Sequence, residues 1–203
     1  MEVRERILKT AEELFMKFGI RSVTMDEIAS ELGISKKTIY MHFEDKDAIV
    51  HEVATFRMSC EQDISEQIWK EAENPIHEVV KEIEMLQTHV AALNPVVIYD
   101  LKKYYPKTWA VFQQHKQTIF LDITRRNLQE GVNLGLYRPE INIEVLSRLR
   151  MEEIDFAFDQ SVFPNNVFNQ FEIHQTFIDH FLRGVLTPKG LTVYEQYINT
   201  DNN

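Results

Sequence analysis

Thr24-Met25-Asp26-Glu27-Ile28-Ala29-Ser30-Glu31-Leu32-Gly33-Ile34-Ser35-Lys36-Lys37-Thr38-Ile39-Tyr40-Met41-His42-Phe43 decides how this chain folds. Thr24 followed three residues later by Glu27 is a capping box, each side chain able to accept from a backbone amide at a helix start. Met25, Ile28, Ala29 and Leu32 then give that helix an apolar face. Gly33 ends it, and Ser35 caps a third, short helix that reaches Phe43. Two short helices around a glycine form a helix-turn-helix, in which the first braces the second. Ile34, Ile39 and Phe43 pack inward. Lys36, Lys37, Thr38, Tyr40, Met41 and His42 are left facing outward or sideways. Lysines neutralise phosphates, while Thr, Tyr and His side chains can donate to phosphate oxygens or read base edges. Lys46 lies at the start of the next helix, where its charge and the exposed amides would meet a backbone phosphate.

Outward from this stretch the pattern stays helical. A first helix is expected over residues 3–18, with Val3, Ile7, Leu8, Ala11, Leu14, Phe15 and Phe18 on one stripe and Gly19 behind it. Asp45 caps a long fourth helix in which Ile49, Val53, Phe56, Cys60, Ile64 and Ile68 keep helical spacing. Asn74-Pro75 and Asn94-Pro95 open a fifth and a sixth, since proline suits a helix's first turn. A seventh covers about 107–134, an eighth about 143–159, a ninth about 168–186, and residues 187–203 read as a tail of at most one turn. The expected architecture is all-α with about nine helices: a three-helix head over 1–46 and a helical body over 47–203.

Composition bounds the function. The 203 residues are 44% hydrophobic and 27% charged, ordinary for a soluble globular protein. No run of 18 apolar residues occurs, so no membrane partner is expected, and the charged N-terminus lacks the apolar core of a signal peptide. Cys60 alone cannot form an internal disulfide or a cysteine zinc cluster, and it suits a reducing cytoplasm. His51, His77, His89, His115, His174 and His180 fall in no metal-binding pattern. There is no GxSxG, HExxH, P-loop or dinucleotide fingerprint, so neither an enzyme nor a cofactor or metal is expected. The net charge of −10 opposes a nucleic-acid partner at first sight. Residues 1–50, however, carry eight Lys or Arg against ten Asp or Glu, and most of the excess lies downstream. Affinity for DNA needs only a local cationic patch.

The run Ile7-Leu8-Lys9-Thr10-Ala11-Glu12-Glu13-Leu14-Phe15, Gly19, Thr24 to Ala29, Gly33 to Phe43 and Lys46 resembles the TetR family of repressors across about residues 4–53. Glu130-Gly131 and Gly135-Leu136-Tyr137-Arg138-Pro139 resemble that family's link between its seventh and eighth helices. The resemblance implies a homodimer, usually a repressor, that loses DNA affinity when an inducer enters the body. It implies double-stranded DNA as partner, contacted by Thr24, Ser35, Lys36, Lys37, Thr38, Tyr40, Met41, His42 and Lys46. Many relatives carry an aromatic residue where Met41 stands; a thymine-methyl contact is open to methionine.

Three features of the body invite specific expectations. Tyr99, Tyr104, Trp109, Phe112 and Phe156 are candidates to line a pocket between helices five to eight for an apolar or aromatic small-molecule effector. Phe177, Ile178, Phe181, Leu182 and Val185 make the ninth helix apolar on two sides, which points to a symmetric dimer through helices eight and nine. Glu152, Glu153, Asp155 and Asp159 form either a solvated face, an ion-pair set with Arg148 or Arg150, or a pocket for a cationic ligand. An adaptor that uses the body for protein contacts is the competing reading of the whole, and the intact Lys36, Lys37 and Lys46 pattern opposes it.

Overall fold

The computed structural model describes residues 2–90 and 94–200. The helices in order are α1 (Val3–Phe18), α2 (Met25–Leu32), α3 (Lys36–Tyr40), α4 (Lys46–Glu71), α5 (Pro75–Val90), α6 (Pro95–Tyr104), α7 (Pro106–His115), a π-helical segment (Lys116–Phe120), α8 (Leu121–Asn133), α9 (Ile143–Ala157), α10 (Gln170–Val185) and α11 (Pro188–Thr200). The described residues contain no strand, only an isolated antiparallel bridge between Tyr137 and Leu186. By contacts the chain parts into two compact units, 1–61 with 92–114 and 62–91 with 115–203. The head expected over 1–46 therefore sits in a larger unit that also holds α6 and α7.

In the first unit the predicted starts are built as the sequence implies. Thr24 Oγ1 accepts from the Glu27 amide at 3.2 Å, and Glu27 Oε2 accepts from the Thr24 amide at 2.6 Å. Gly33 takes a φ of +65°, a left-handed conformation that a side chain disfavours. Ser35 Oγ accepts from the Thr38 amide, and Asp45 Oδ1 from the Ala48 amide. Ile7, Ala11, Phe15, Ile28, Ile39 and Ile49 form the core, joined by Val97, Leu101 and Tyr105 from α6 and the turn after it. Each is buried, and burial of such a side chain is worth roughly 1.5–3 kcal/mol relative to exposure.

The second unit gathers α5, α8, α9, α10 and α11 around Ile76, Leu128, Tyr137, Ile178, Leu182, Val185 and Tyr194. Asn74 Oδ1 accepts from the amides of Ile76 and His77, which explains why Asn-Pro opens α5. Asn94 does the same for Val96 at the start of α6. The Tyr137 ring lies flat on Gly131: a Cβ at that glycine would stand 2.0 Å from Tyr137 Cδ2. The expected terminal tail is wrong. Residues 188–200 form α11, with Pro188 in its first turn and Thr187 Oγ1 accepting from the Gly190 amide. Pro188 suits the first position of this helix, where an amide would have no intrahelical partner.

Candidate nucleic-acid interface and the interior of the body

The turn of α2 into α3 leaves a polar face free. Ile39 and Phe43 are buried beneath it, while Thr24, Ser35, Lys36, Lys37, Tyr40, Met41 and His42 are exposed and Thr38 is half-buried. Met41 is 76% and Tyr40 48% exposed. Ser35 Oγ and Thr38 Oγ1 lie 2.8 Å apart. Lys36 Nζ pairs with Asp26 Oδ2 at 2.8 Å, and this bond raises its pKa. Lys37 has no ion pair among the described residues, so its full charge faces outward.

Lys46 departs from the expected role. Its Nζ turns inward, donates to the Ile20 carbonyl at 2.6 Å and lies over the Phe15 ring. Burial lowers its pKa, opposed by the carboxylates of Asp100, Asp47 and Glu27. Its ammonium satisfies carbonyls just past the end of α1, where helix ends leave acceptors unpaired. It holds the head together from within and would have to leave those carbonyls to reach a phosphate.

A neighbouring contact escaped the sequence reading. Asp100, on α6 and buried, accepts from the Arg21 amide at 2.8 Å. The Arg21 guanidinium donates to Tyr104 Oη at 2.9 Å and stacks on its ring. Gly19, at φ +82°, admits this approach: a Cβ there would meet Val96 at 3.0 Å. The sequence signal was Asp100 itself, an acid between the inward-facing Val97 and Leu101, where a buried charge demands a partner.

Of the five aromatic pocket candidates, Tyr99, Tyr104, Trp109 and Phe112 lie in the first unit and Phe156 in the second. Tyr104 and Trp109 pack on the core of the first unit, Phe112 stacks on Trp109, and Tyr99 is an exposed edge neighbour of Tyr104. Phe156 belongs to the second unit and clusters with Phe163 and Phe177. The dimer candidates also divide. Ile178, Leu182 and Val185 are buried in the protomer's own core, so they cannot also meet a second chain; Phe177 and Phe181 are half-buried. The acids of α9 turn out to be ion-paired. Glu153 meets Arg150 at 3.1 Å, and Asp155 meets Lys116 at 2.6 Å, with Glu152 at 3.8 Å. Lys116 is 1% exposed and stands at the first position of the π-helical segment.

The helix-turn-helix with this exposed face defines a class of bacterial DNA-binding regulators. Residues 7–53 match the family model described as bacterial regulatory proteins, tetR family. The chain is 30% identical over 143 residues to the HTH-type transcriptional regulator YerO of Bacillus subtilis, covering 70% of this chain and 43% of that one. It therefore spans less than half the length of that relative. It is 24% identical over 185 residues to YvaF of the same organism, covering 89% and 94%. A transcriptional regulator from Saccharomonospora viridis, solved in complex with choline, shares the fold at a TM-score of 0.74 and 20% identity, over 91% of this chain and 97% of that one. The N-terminal region is thus similar to that of the tetR family of bacterial regulatory proteins, and the chain as a whole shares its fold with the solved structure. Among the described residues no helix is long and apolar enough to cross a membrane.

Proposed function

We propose that this chain is a ligand-responsive repressor that binds a palindromic operator as a homodimer in the cytoplasm. The observation that carries the DNA contact is the exposed set Lys37, Tyr40 and Met41 beside the hydroxyls of Ser35 and Thr38. Lys37 supplies a free phosphate ligand. Thr24, Lys36 and His42 flank it, and Met41 offers an apolar group to a thymine methyl. Lys36 must exchange Asp26 for a phosphate.

Support for the dimer comes from α9. Val145, Leu149 and Phe156 are all exposed, and their spacing of four and seven residues puts them on one stripe. A two-fold axis would bring that stripe against its own copy. Two recognition helices about 34–36 Å apart then fit successive major grooves. An effector held in the body acts by favouring a conformation whose head spacing no longer fits the groove repeat. A protein of the same fold solved in complex with choline is the reason to propose a small-molecule ligand.

The test is a gel shift on an operator selected from random DNA. Lys37→Ala should weaken binding to all sequences alike, whereas Met41→Ala should relax preference at one base pair. Unchanged affinity and preference in both would remove the interface.

A further inference from the structure

Asp26 and Lys36 are joined on the exposed face of the helix-turn-helix. Lys36 Nζ donates to Asp26 Oδ2 at 2.8 Å, tying the first turn of α2 to the first residue of α3. Both side chains are open to water, Asp26 at 70% and Lys36 at 45% exposure. An ion pair so exposed adds little to stability. The two helices are already held by the buried Ile28 and Ile39 and by the turn at Gly33. The pair is therefore not what joins them.

The carboxylate sits where DNA binding would disfavour one. Glu27, the other acid of that turn, takes the Thr24 amide and hydroxyl and serves as a cap. Asp26 turns to Lys36 instead. It stands two residues after Thr24, and phosphate oxygens, which accept and cannot donate, repel it. Once Lys36 leaves for a phosphate, Asp26 keeps its charge and loses its donor. The major groove offers a carboxylate two amino groups, cytosine N4 and adenine N6. Adenine sets its N7 acceptor beside N6, against the second carboxylate oxygen, whereas cytosine presents only the amine.

We propose that Asp26 is a specificity-determining residue that accepts from a cytosine N4 amine, and that its bond to Lys36 is a latch which this base opens. On a sequence without the cytosine, Asp26 keeps Lys36, and the head meets the backbone one cation short. On a sequence with it, the amine takes over the carboxylate and Lys36 is released to neutralise a phosphate. One base contact thereby controls one backbone contact, and both count towards discrimination. The latch rests on the α2–α3 face being the DNA interface.

Selection of bound DNA from a random duplex pool, with the full chain and with Asp26→Asn, followed by gel shifts between about 50 and 200 mM salt, tests it. The parent is expected to enrich cytosine at one position of the half-site at least about fivefold over the other bases. Asp26→Asn should lose that preference, and any that replaces it should be for adenine, whose N6 and N7 an amide matches. The same variant frees Lys36 on every sequence. Binding to a random duplex should then tighten several-fold, and its salt slope should steepen by about one unit. Lys36→Met keeps the carboxylate and removes the cation. It should retain the cytosine and flatten the slope on the selected duplex by about one unit, with the slope on random duplex unmoved. No cytosine preference in the parent, a preference that survives Asp26→Asn, or random-duplex affinity that this variant leaves unmoved, overturns the latch. Recovery of a consensus that Asp26→Asn does not change contradicts the latch alone. Recovery of no consensus by the parent contradicts the DNA interface and the latch with it.

Discussion

Lys37 and Lys46 are three helical turns or fewer from the same surface in sequence, yet they do different work. Lys37 has no ion pair among the described residues and faces out, while Lys46 is bound to the Ile20 carbonyl. Lys37→Ala is therefore expected to reduce the salt slope of DNA binding by about one unit and leave stability within about 0.5 kcal/mol of the parent. Lys46→Ala should do the reverse, lowering stability by about 1.5–3 kcal/mol through loss of a charged hydrogen bond, with the salt slope unchanged. Urea unfolding and gel shifts at several salt concentrations check both. Glu82 gives a pH prediction. Its folded pKa of about 7 lies above the ordinary 4.5, so the folded state holds the proton more tightly. Stability from this group is complete below pH 4.5 and is lost as pH rises towards 7. Glu82→Gln should be neutral at pH 4 and more stable than the parent by about 3 kcal/mol at pH 8. His174 runs the other way: its folded pKa of about 4 means that stability is lost as pH falls from 6.5 towards 4.

Elements were legible where a local rule decides them. The capping box at Thr24, the turn at Gly33 and the Asn-Pro helix starts depend on residues within four positions of each other, and all are built as read. What periodicity cannot say is which surface an apolar stripe faces. Ile178, Leu182 and Val185 had the spacing of an interface and went into the protomer's core. The exposed stripe lies on α9 instead, at Val145, Leu149 and Phe156, interrupted by charged residues that hid it. Leu149→Glu should accordingly convert a dimer into a monomer in analytical ultracentrifugation without unfolding it. Long-range polar partners were equally invisible. Nothing near Lys46 in sequence announces Ile20, and nothing near Asp100 announces Arg21. The link after α8 offers a sharper test of packing. Gly131→Ala would force a Cβ to 2.0 Å from the buried Tyr137 ring, which has no room to withdraw. A loss of about 1–3 kcal/mol or more in urea unfolding is expected.

At the scale of the whole molecule, the charge of −10 does not by itself oppose DNA binding, because affinity needs only a local cation such as the exposed Lys37. Arg126, Arg150 and Lys116 each neutralise a carboxylate within the second unit. The head was identified from sequence because its function depends on a short contiguous motif. Selection of bound DNA from a random pool with the full-length chain tests the regulator most directly. An inverted repeat with half-site centres one helical turn apart should be enriched, with enrichment lost in Lys37→Ala. Recovery of no inverted repeat, or the same repeat at the same affinity with Lys37 replaced, would contradict it.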